Sequence, residues 1–308
     1  MIYLKVRGGL CNRIRALDSL ISLCNVYKRD LTVFWPLDSA LNVPFEELFL
    51  SINPKNFKLE IFNTPPAFPE NYVPTVKNQI KNFVRFRSVN KELKFFAKHL
   101  YSLPQHSKKF SEAYLDGIYN SIIEDFPDTV GVMDLRFCKQ LENETRGMFE
   151  KTTDVYINSC YRLTDIEDSY AKFKPEKDIE KTIKKTTKKF TTTYGLHIRQ
   201  SDHETSKKIS TVDKFVKLID QILEDEKETT FFLSTDNPLV KSKLIKNYGD
   251  KIIFNEISSY DRNSPKAIKD ALLDLFCLAS TRTVYGSHHS SFSQVAAEIG
   301  KIPEITVK

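Results

Sequence analysis

Apolar and polar positions recur along this chain with two periods, and the switches between them mark out the elements. Ile2 to Val6 is a short apolar run that leads straight into Arg7-Gly8-Gly9-Leu10-Cys11-Asn12-Arg13. Beyond the glycines the period changes, because Ile14, Leu17, Leu20, Ile21 and Cys24 recur at the three-and-four spacing of one helix face. Leu31 to Trp35 is a second strand, closed by Pro36. Strand, glycine turn, helix and strand make a βαβ unit, which predicts a parallel sheet.

The middle of the chain carries a weaker pattern. Prolines cluster at Pro65, Pro66, Pro69 and Pro74, and the run Asn82-Phe83-Val84-Arg85-Phe86-Arg87 follows. Residues from about Ala40 to Tyr119 therefore read as loops with short helices, on the acceptor side of a cleft; the basic run reads as a solvated face with buried aromatics rather than a phosphate patch. Val155 to Tyr161 has the character of a buried strand. Lys172 to Phe190 is lysine-rich with Ile179 and Ile183 four apart, a solvated helix between domains whose apolar face is too narrow for a membrane surface.

From Tyr194 onward strands and helices alternate regularly. Strands are expected at Tyr194 to Arg199, Thr230 to Ser234, Ile252 to Asn255 and Thr283 to Gly286. Ser210-x-x-Asp213 resembles a capping box ahead of a stripe of Val212, Phe215, Leu218, Ile219 and Ile222. Pro238 and Pro265 each open a helix, Gly249 closes the first of these, and Ser290 or Ser291 caps a last helix ending at Gly300. This alternation predicts a second doubly wound sheet.

Composition narrows the class without changing the picture. A chain of 308 residues with 41% hydrophobic and 28% charged residues can bury two cores and has no disorder signature. The net charge of +6 suits a small anionic ligand, but 40 acidic residues interspersed with 46 basic ones argue against nucleic acid. The five cysteines, Cys11, Cys24, Cys138, Cys160 and Cys277, are scattered and form no C-x-x-C pair, which points to a reducing compartment rather than a disulfide framework or zinc site. No signal-peptide architecture and no membrane-spanning run are visible, so a cytoplasmic location is expected.

Three places stand out chemically, each where a strand ends and open parallel sheets bind ligands. Gly8-Gly9-Leu10-Cys11-Asn12-Arg13 would let backbone N–H groups approach a phosphate at a helix N-terminus, or be a tight turn without a ligand. It is neither a G-x-G-x-x-G fingerprint nor a Walker loop. His197-Ile198-Arg199-Gln200-Ser201-Asp202 places His197 and Arg199 on one strand face, where an arginine can meet a diphosphate with two hydrogen bonds or be paired with Asp202 for structure alone. Tyr285-Gly286-Ser287-His288-His289-Ser290-Ser291-Phe292-Ser293-Gln294-Val295 offers more hydroxyls at a helix start than a cap uses, which favours a phosphate cradle.

These residues carry a family resemblance. The His-x-Arg-x-x-Asp of residues 197 to 202 resembles the donor motif of the α1,6-, α1,2- and protein O-fucosyltransferases, and Gly8 to Arg13 resembles the glycine–asparagine turn that opens that superfamily's N-terminal domain. Leu273-Asp274-Leu275-Phe276-Cys277-Leu278-Ala279, then Gly286 and Ser290 to Val295, is similar to the last donor motif, and Ser234-Thr235-Asp236 to the intervening strand end. Residues from about 40 to 190 carry no such likeness. The resemblance implies a GT-B fold, an α/β architecture of two Rossmann-like doubly wound domains facing a cleft, with residues 1–180 on the acceptor side and 181–308 binding the donor.

It also implies an inverting, metal-independent transfer of fucose from GDP-fucose to a glycan, lipid-linked sugar or protein hydroxyl. Arg199, Ser290, Ser291, Phe292 and Ser293 would hold the diphosphate end, Asp274 the guanine edge, His197 the base or ribose, and Asp236 the intervening strand end, while Gly8, Gly9, Asn12 and Arg13 would close over the phosphates. No Asp-x-Asp pair is present to bridge a metal, and neighbouring His288 and His289 point apart. The chain departs from the family in having Gln200 where several members have a second arginine, so one phosphate contact is expected to be missing or to be supplied elsewhere, by Arg13 or Arg15. Asp202, His203 and Glu204 are the nearest candidates for the base that activates the acceptor, with Glu204 favoured. Another nucleotide-sugar donor, such as GDP-mannose or a UDP-sugar, and a non-catalytic sugar-nucleotide or glycan-binding module are the alternatives.

Overall fold

The structure, a computed structural model, describes residues 1–64, 146–147, 149–150, 155–164, 170–200, 204–259, 261, 263–288 and 290–308. The proline cluster, the Asn82 to Arg87 run, Cys138, Asp202, His203 and His289 lie outside the described residues.

The first sheet is built from β1 (Ile2–Val6), β2 (Leu31–Pro36), β3 (Leu59–Thr64) and β4 (Val155–Ser159), all parallel in the order β3-β2-β1-β4. Helix α1 (Leu10–Tyr27) joins β1 to β2 and starts four residues before the first position of its periodic stripe. It is buried on nearly every side from Leu10 to Cys24, and the polar Arg13, Arg15, Asp18, Ser19 and Ser22 are inside with the stripe. β3 corrects the expectation of loops and helices in this stretch: Leu59 and Ile61 follow the two-residue period of a strand, and they dock against β2 at the sheet edge.

The second sheet contains β5 (Thr193–Ile198), β6 (Thr230–Thr235), β7 (Ile252–Ile253), β8 (Val284–Ser287) and β9 (Glu304–Val307), parallel in the order β7-β6-β5-β8-β9. Both orders reverse once, as in a doubly wound sheet, between β1 and β4 in the first and between β5 and β8 in the second. The connecting helices are α2 (Lys177–Thr187), α3 (Glu204–Ile209), α4 (Val212–Asp225), α5 (Pro238–Tyr248), α6 (Pro265–Leu278) and α7 (Ser291–Gly300). Three caps follow from local sequence: Asn237 accepts from Leu239 N–H, Ser264 from Ala267 N–H and Ser290 from Phe292 N–H. The capping box at Ser210 does not form. The helix begins after Thr211, and the Ser210 hydroxyl is taken by Val307 O, to which it donates at 2.5 Å, and by His288 N–H at 2.8 Å.

Strand alternation divides the second sheet's two faces. Tyr194, Leu196, Ile198, Phe231 and Leu233 pack with α4 and α5, while Phe232 turns to the opposite face, which α2, α6 and α7 cover. That second apolar cluster continues without interruption into α1, β1 and β2 of the first sheet, and α1 packs against α7. Ile179 and Ile183 of α2 are buried in it, so the lysine-rich helix has one apolar face docked on α6 and spans the expected boundary at residue 180. No helix among the described residues is long and apolar enough to cross a membrane.

Candidate functional site at the switch point of the second sheet

The register of three neighbouring strands sets the site. His197 of β5 pairs with Ser234 of β6 on one side and with Gly286 of β8 on the other. These three residues form a row at the carboxyl end of the sheet, at its reversal, on the face that α6 and α7 cover. Each is met from above. The Ser234 hydroxyl bonds the Asp274 carboxylate of α6. The His197 ring stacks on Phe292, with centroids 4.8 Å apart and planes at 25°, and its Nδ1 shares a hydrogen bond of 3.1 Å with Ser290 Oγ. Ser293 lies over Gly286, where an added Cβ would collide with the Ser293 side chain and reach Glu304 Oε1 at 2.8 Å. Glycine at 286 is thus what lets the start of α7 approach the sheet this closely.

Burial sets the protonation of two of these groups in opposite directions. It pushes His197 down to about 4, an effect the Arg199 guanidinium reinforces and Asp236 opposes, so the imidazole is neutral at pH 7. It pushes Asp274 up to about 7, against the hydrogen bonds from Asn255 and Ser234 that favour the carboxylate.

Past the strand ends the backbone is tied from loop to loop. Arg199 N–H donates to Ser287 Oγ at 3.0 Å, and Gln200 N–H donates to Asp236 Oδ1 at 2.7 Å. The half-buried Arg199 side chain leaves β5 beside His197, close enough for its charge to act on the imidazole. The Gln200 side chain turns inward and donates to Ser210 O at 2.8 Å, a structural role. Glu204 opens α3, is exposed, and is paired with Lys207 at 2.8 Å, which pulls its carboxyl below the ordinary carboxylate range. Ser290 and Ser293 spend their hydroxyls internally, Ser293 on Ser290 O and Glu304, whereas Ser291 is half-exposed and its hydroxyl has no hydrogen bond among the described residues. Among the described residues no three His, Cys, Asp or Glu side chains converge as a metal-ligand set.

This sheet pair has solved counterparts. NodZ α-1,6-fucosyltransferase soaked with GDP-fucose superimposes with a TM-score of 0.54 at 15% identity, over 97% of this chain and 92% of that one. POFUT1 in complex with GDP-fucose gives 0.52 at 13% identity, over 99% and 97%. FUT1 of Arabidopsis thaliana in complex with GDP gives 0.51 at 14%, over 99% and 69%. The chain has the fold of the GT-B fucosyltransferases. No family model matches the sequence, and no curated protein sequence matches it.

At the carboxyl end of the first sheet the glycine turn occupies the equivalent switch point. Gly8 has φ +75°, and a Cβ there would meet Asn12 Nδ2 at 2.8 Å, so the turn itself requires this glycine. Gly9 differs: its φ of −73° suits any residue, and an added Cβ would meet nothing within 4 Å. Gly9 is also the N-cap of α1 without a side-chain cap, which leaves the first-turn N–H groups open at that end.

Arg13 and Arg15 correct the expectation that they reach a phosphate. Arg13 is fully buried; its Nε donates to Gly8 O at 2.7 Å, its Nη1 to Pro36 O, and its Nη2 pairs with Asp38 at 2.8 Å. It lies over the Trp35 ring at 5.3 Å, and burial lowers even this guanidinium to about 10. Arg15 is held by Cys160 O at 2.7 Å and lies over Tyr161. Both are scaffold for the turn, because the all-round burial of α1 turns them inward. Asn255, just past β7, and Thr186 of α2 join the Asp274 cluster, and the polar end of the Ile252 to Asn255 segment is the signal in the sequence that points to it.

Proposed function

We propose that this chain is a glycosyltransferase that moves fucose from GDP-fucose to an acceptor hydroxyl, with inversion at the sugar's C1 and without a metal ion. The observation that carries the reading is the in-register row Ser234–His197–Gly286, covered by Asp274, Phe292 and Ser290 and flanked by Arg199, at the reversal of the second sheet. The shared fold supports it, since NodZ was soaked with GDP-fucose and POFUT1 is in complex with it.

In this reading the acceptor oxygen bonds to C1 as the bond from C1 to the β-phosphate oxygen breaks. The electron pair leaves on GDP, and the acceptor proton passes to a base. Arg199, Ser291 and the N–H groups at the start of α7 other than that of Phe292, which Ser290 caps, stabilise the charge growing on the diphosphate. Asp274 accepts from the guanine N1–H and amino group. Neutral His197, fixed by Phe292 and Ser290, lines the base or ribose. Gly8, Gly9 and Asn12 approach the phosphates from the first sheet, so that residues 1–180 serve the acceptor and 181–308 the donor. The base is assigned to Asp202 or Glu204, and the pair with Lys207 makes Glu204 the weaker of the two. Acceptors of this class are glycans, lipid-linked sugars or protein hydroxyls.

Arg199→Ala tests the assignment. Transfer or slow hydrolysis of GDP-fucose should fall by roughly 10²–10³ while circular dichroism shows an intact fold. Arg199→Lys should restore only part, because lysine cannot bond the diphosphate twice. Chelator should change neither rate. Full activity in Arg199→Ala, or activity that appears only with added divalent metal, would sink the reading.

A further inference from the structure

Asp274 is not alone inside α6. Asn255 Nδ2 donates to Asp274 Oδ1 at 2.8 Å, and the Asn255 amide is itself fixed from the other side, where Thr186 Oγ1 donates to Asn255 Oδ1 at 2.9 Å. The remaining amide hydrogen faces Cys277 Sγ at 3.6 Å, and the main-chain carbonyl of Asn255 accepts from Lys241 Nζ at 3.2 Å. All three side chains of the relay are buried, with Thr186 and Asn255 each 8% exposed and Asp274 2%. The Asp274 carboxylate can only accept, which turns Nδ2 of the amide towards it, and the Thr186 hydroxyl, able to donate or accept, braces that orientation by donating to Oδ1. Two of the carboxylate's lone-pair sites are thereby taken, one by Asn255 and one by Ser234, the latter a member of the His197 row.

We infer that Asn255, locked by Thr186, is a positioning residue for base recognition, holding the Asp274 carboxylate in one orientation as an acceptor for the guanine edge. The inference rests on the donor-site reading above and adds to it the residues that set nucleotide selectivity. Every polar group around Asp274 enters the balance. Asn255 and Ser234 donate to it, Lys241 of α5 favours its charge from a distance, Asp270 on α6 opposes it, and Cys277 and Thr186 each bond Asn255 and are bonded to one another. Removing Asn255 leaves burial and Asp270 less opposed, so the carboxyl takes a proton more readily and stops accepting from guanine.

The experiment compares wild type with Asn255→Ala and with Thr186→Val, which keeps its volume but lacks the hydroxyl. GDP affinity is read between pH 6 and about pH 8.5 as the ratio of wild type to variant, so that the nucleotide's own ionisation cancels. Asn255→Ala should lose roughly tenfold at pH 7 and recover most of it by about pH 8.5, as one lost charge-assisted hydrogen bond predicts. Thr186→Val should lose less, in the same direction. In parallel, the protonated-carboxyl infrared band of Asp274, assigned by its absence in Asp274→Asn, should titrate about one pH unit higher in Asn255→Ala without any nucleotide. An affinity ratio constant across pH, or an unmoved infrared midpoint, would overturn the inference. A wild type that binds no GDP at any pH would overturn the donor-site reading, and the infrared midpoints would still decide whether Asn255 holds the carboxylate.

Discussion

Gly9 is a glycine that the free protein has no conformational need for. Its φ of −73° is ordinary and the space around it is open, whereas Gly8 beside it needs its positive φ and its missing side chain. A ligand passing close to the backbone, as proposed for the donor, would account for the difference. Gly9→Ser should therefore leave stability within a few tenths of a kcal/mol, or raise it slightly through a new N-cap. The same change should weaken GDP binding by roughly tenfold, the loss of one charge-assisted contact. A stability measurement beside a binding titration checks both halves.

His197 and Asp274 also make the stability of the fold depend on pH. The imidazole falls from 6.5 to about 4 on folding, so its contribution to stability is present above about 6.5 and is lost as the pH falls towards 4. The Asp274 carboxyl rises from 3.8 to about 7, so its native form binds more protons than its unfolded form across that window, and stability is lost as pH rises from about 4 to 7. Keeping a buried carboxylate for a ligand costs the free protein stability at neutral pH. Asp274→Asn should therefore gain on wild type between pH 5 and pH 8, on the order of a few kcal/mol by urea midpoints, while losing GDP affinity. At this scale the sequence made His197, Arg199 and Asp274 visible, because they stand at strand ends or in a motif. It did not show that Arg13 turns inward to Gly8 O, Pro36 O and Asp38, since spacing does not say which way a buried cation points.

The elements were legible where a local signal marks both ends. Pro238 with Gly249 bounds α5, and Ser264 with Pro265 starts α6. β3 and β9 had no such marks; both are edge strands whose existence depends on the neighbour they pair with. β7 stops at Ile253, two residues before its expected end, and Asn255 beyond it turns to Asp274 instead of extending the ladder. Ser210 failed as a cap because two distant backbone groups, Val307 O and His288 N–H, take its hydroxyl. At the start of α7 the local signal and the site coincide: Ser290 caps the helix and holds His197. Ser290→Ala should cost about 1 kcal/mol, read by denaturant unfolding.

Across the whole molecule the two sheets are joined by polar contacts as well as by the continuous core. Asp18 of α1, fully buried, pairs at 2.6 Å with both Arg162 and Lys172 from the stretch after β4, and Tyr170 in that stretch donates to Glu298 of α7 at 2.7 Å. This chain of contacts ties the helix behind the glycine turn to the helix that covers the His197 row. None of it was visible in the sequence, where Asp18 and Arg162 stand 144 positions apart. The paired doubly wound sheets were visible, because their alternation is local. Stretches whose order depends on distant partners carry no such signature.

Whether the second sheet's switch point is a guanosine diphosphate site is decided by calorimetric titration of the protein with GDP and with UDP, each with and without chelator. GDP should bind with an affinity indifferent to chelator, and UDP, which lacks the edge Asp274 would read, should bind far more weakly. Equal binding of the two nucleotides, or none by either, would contradict it.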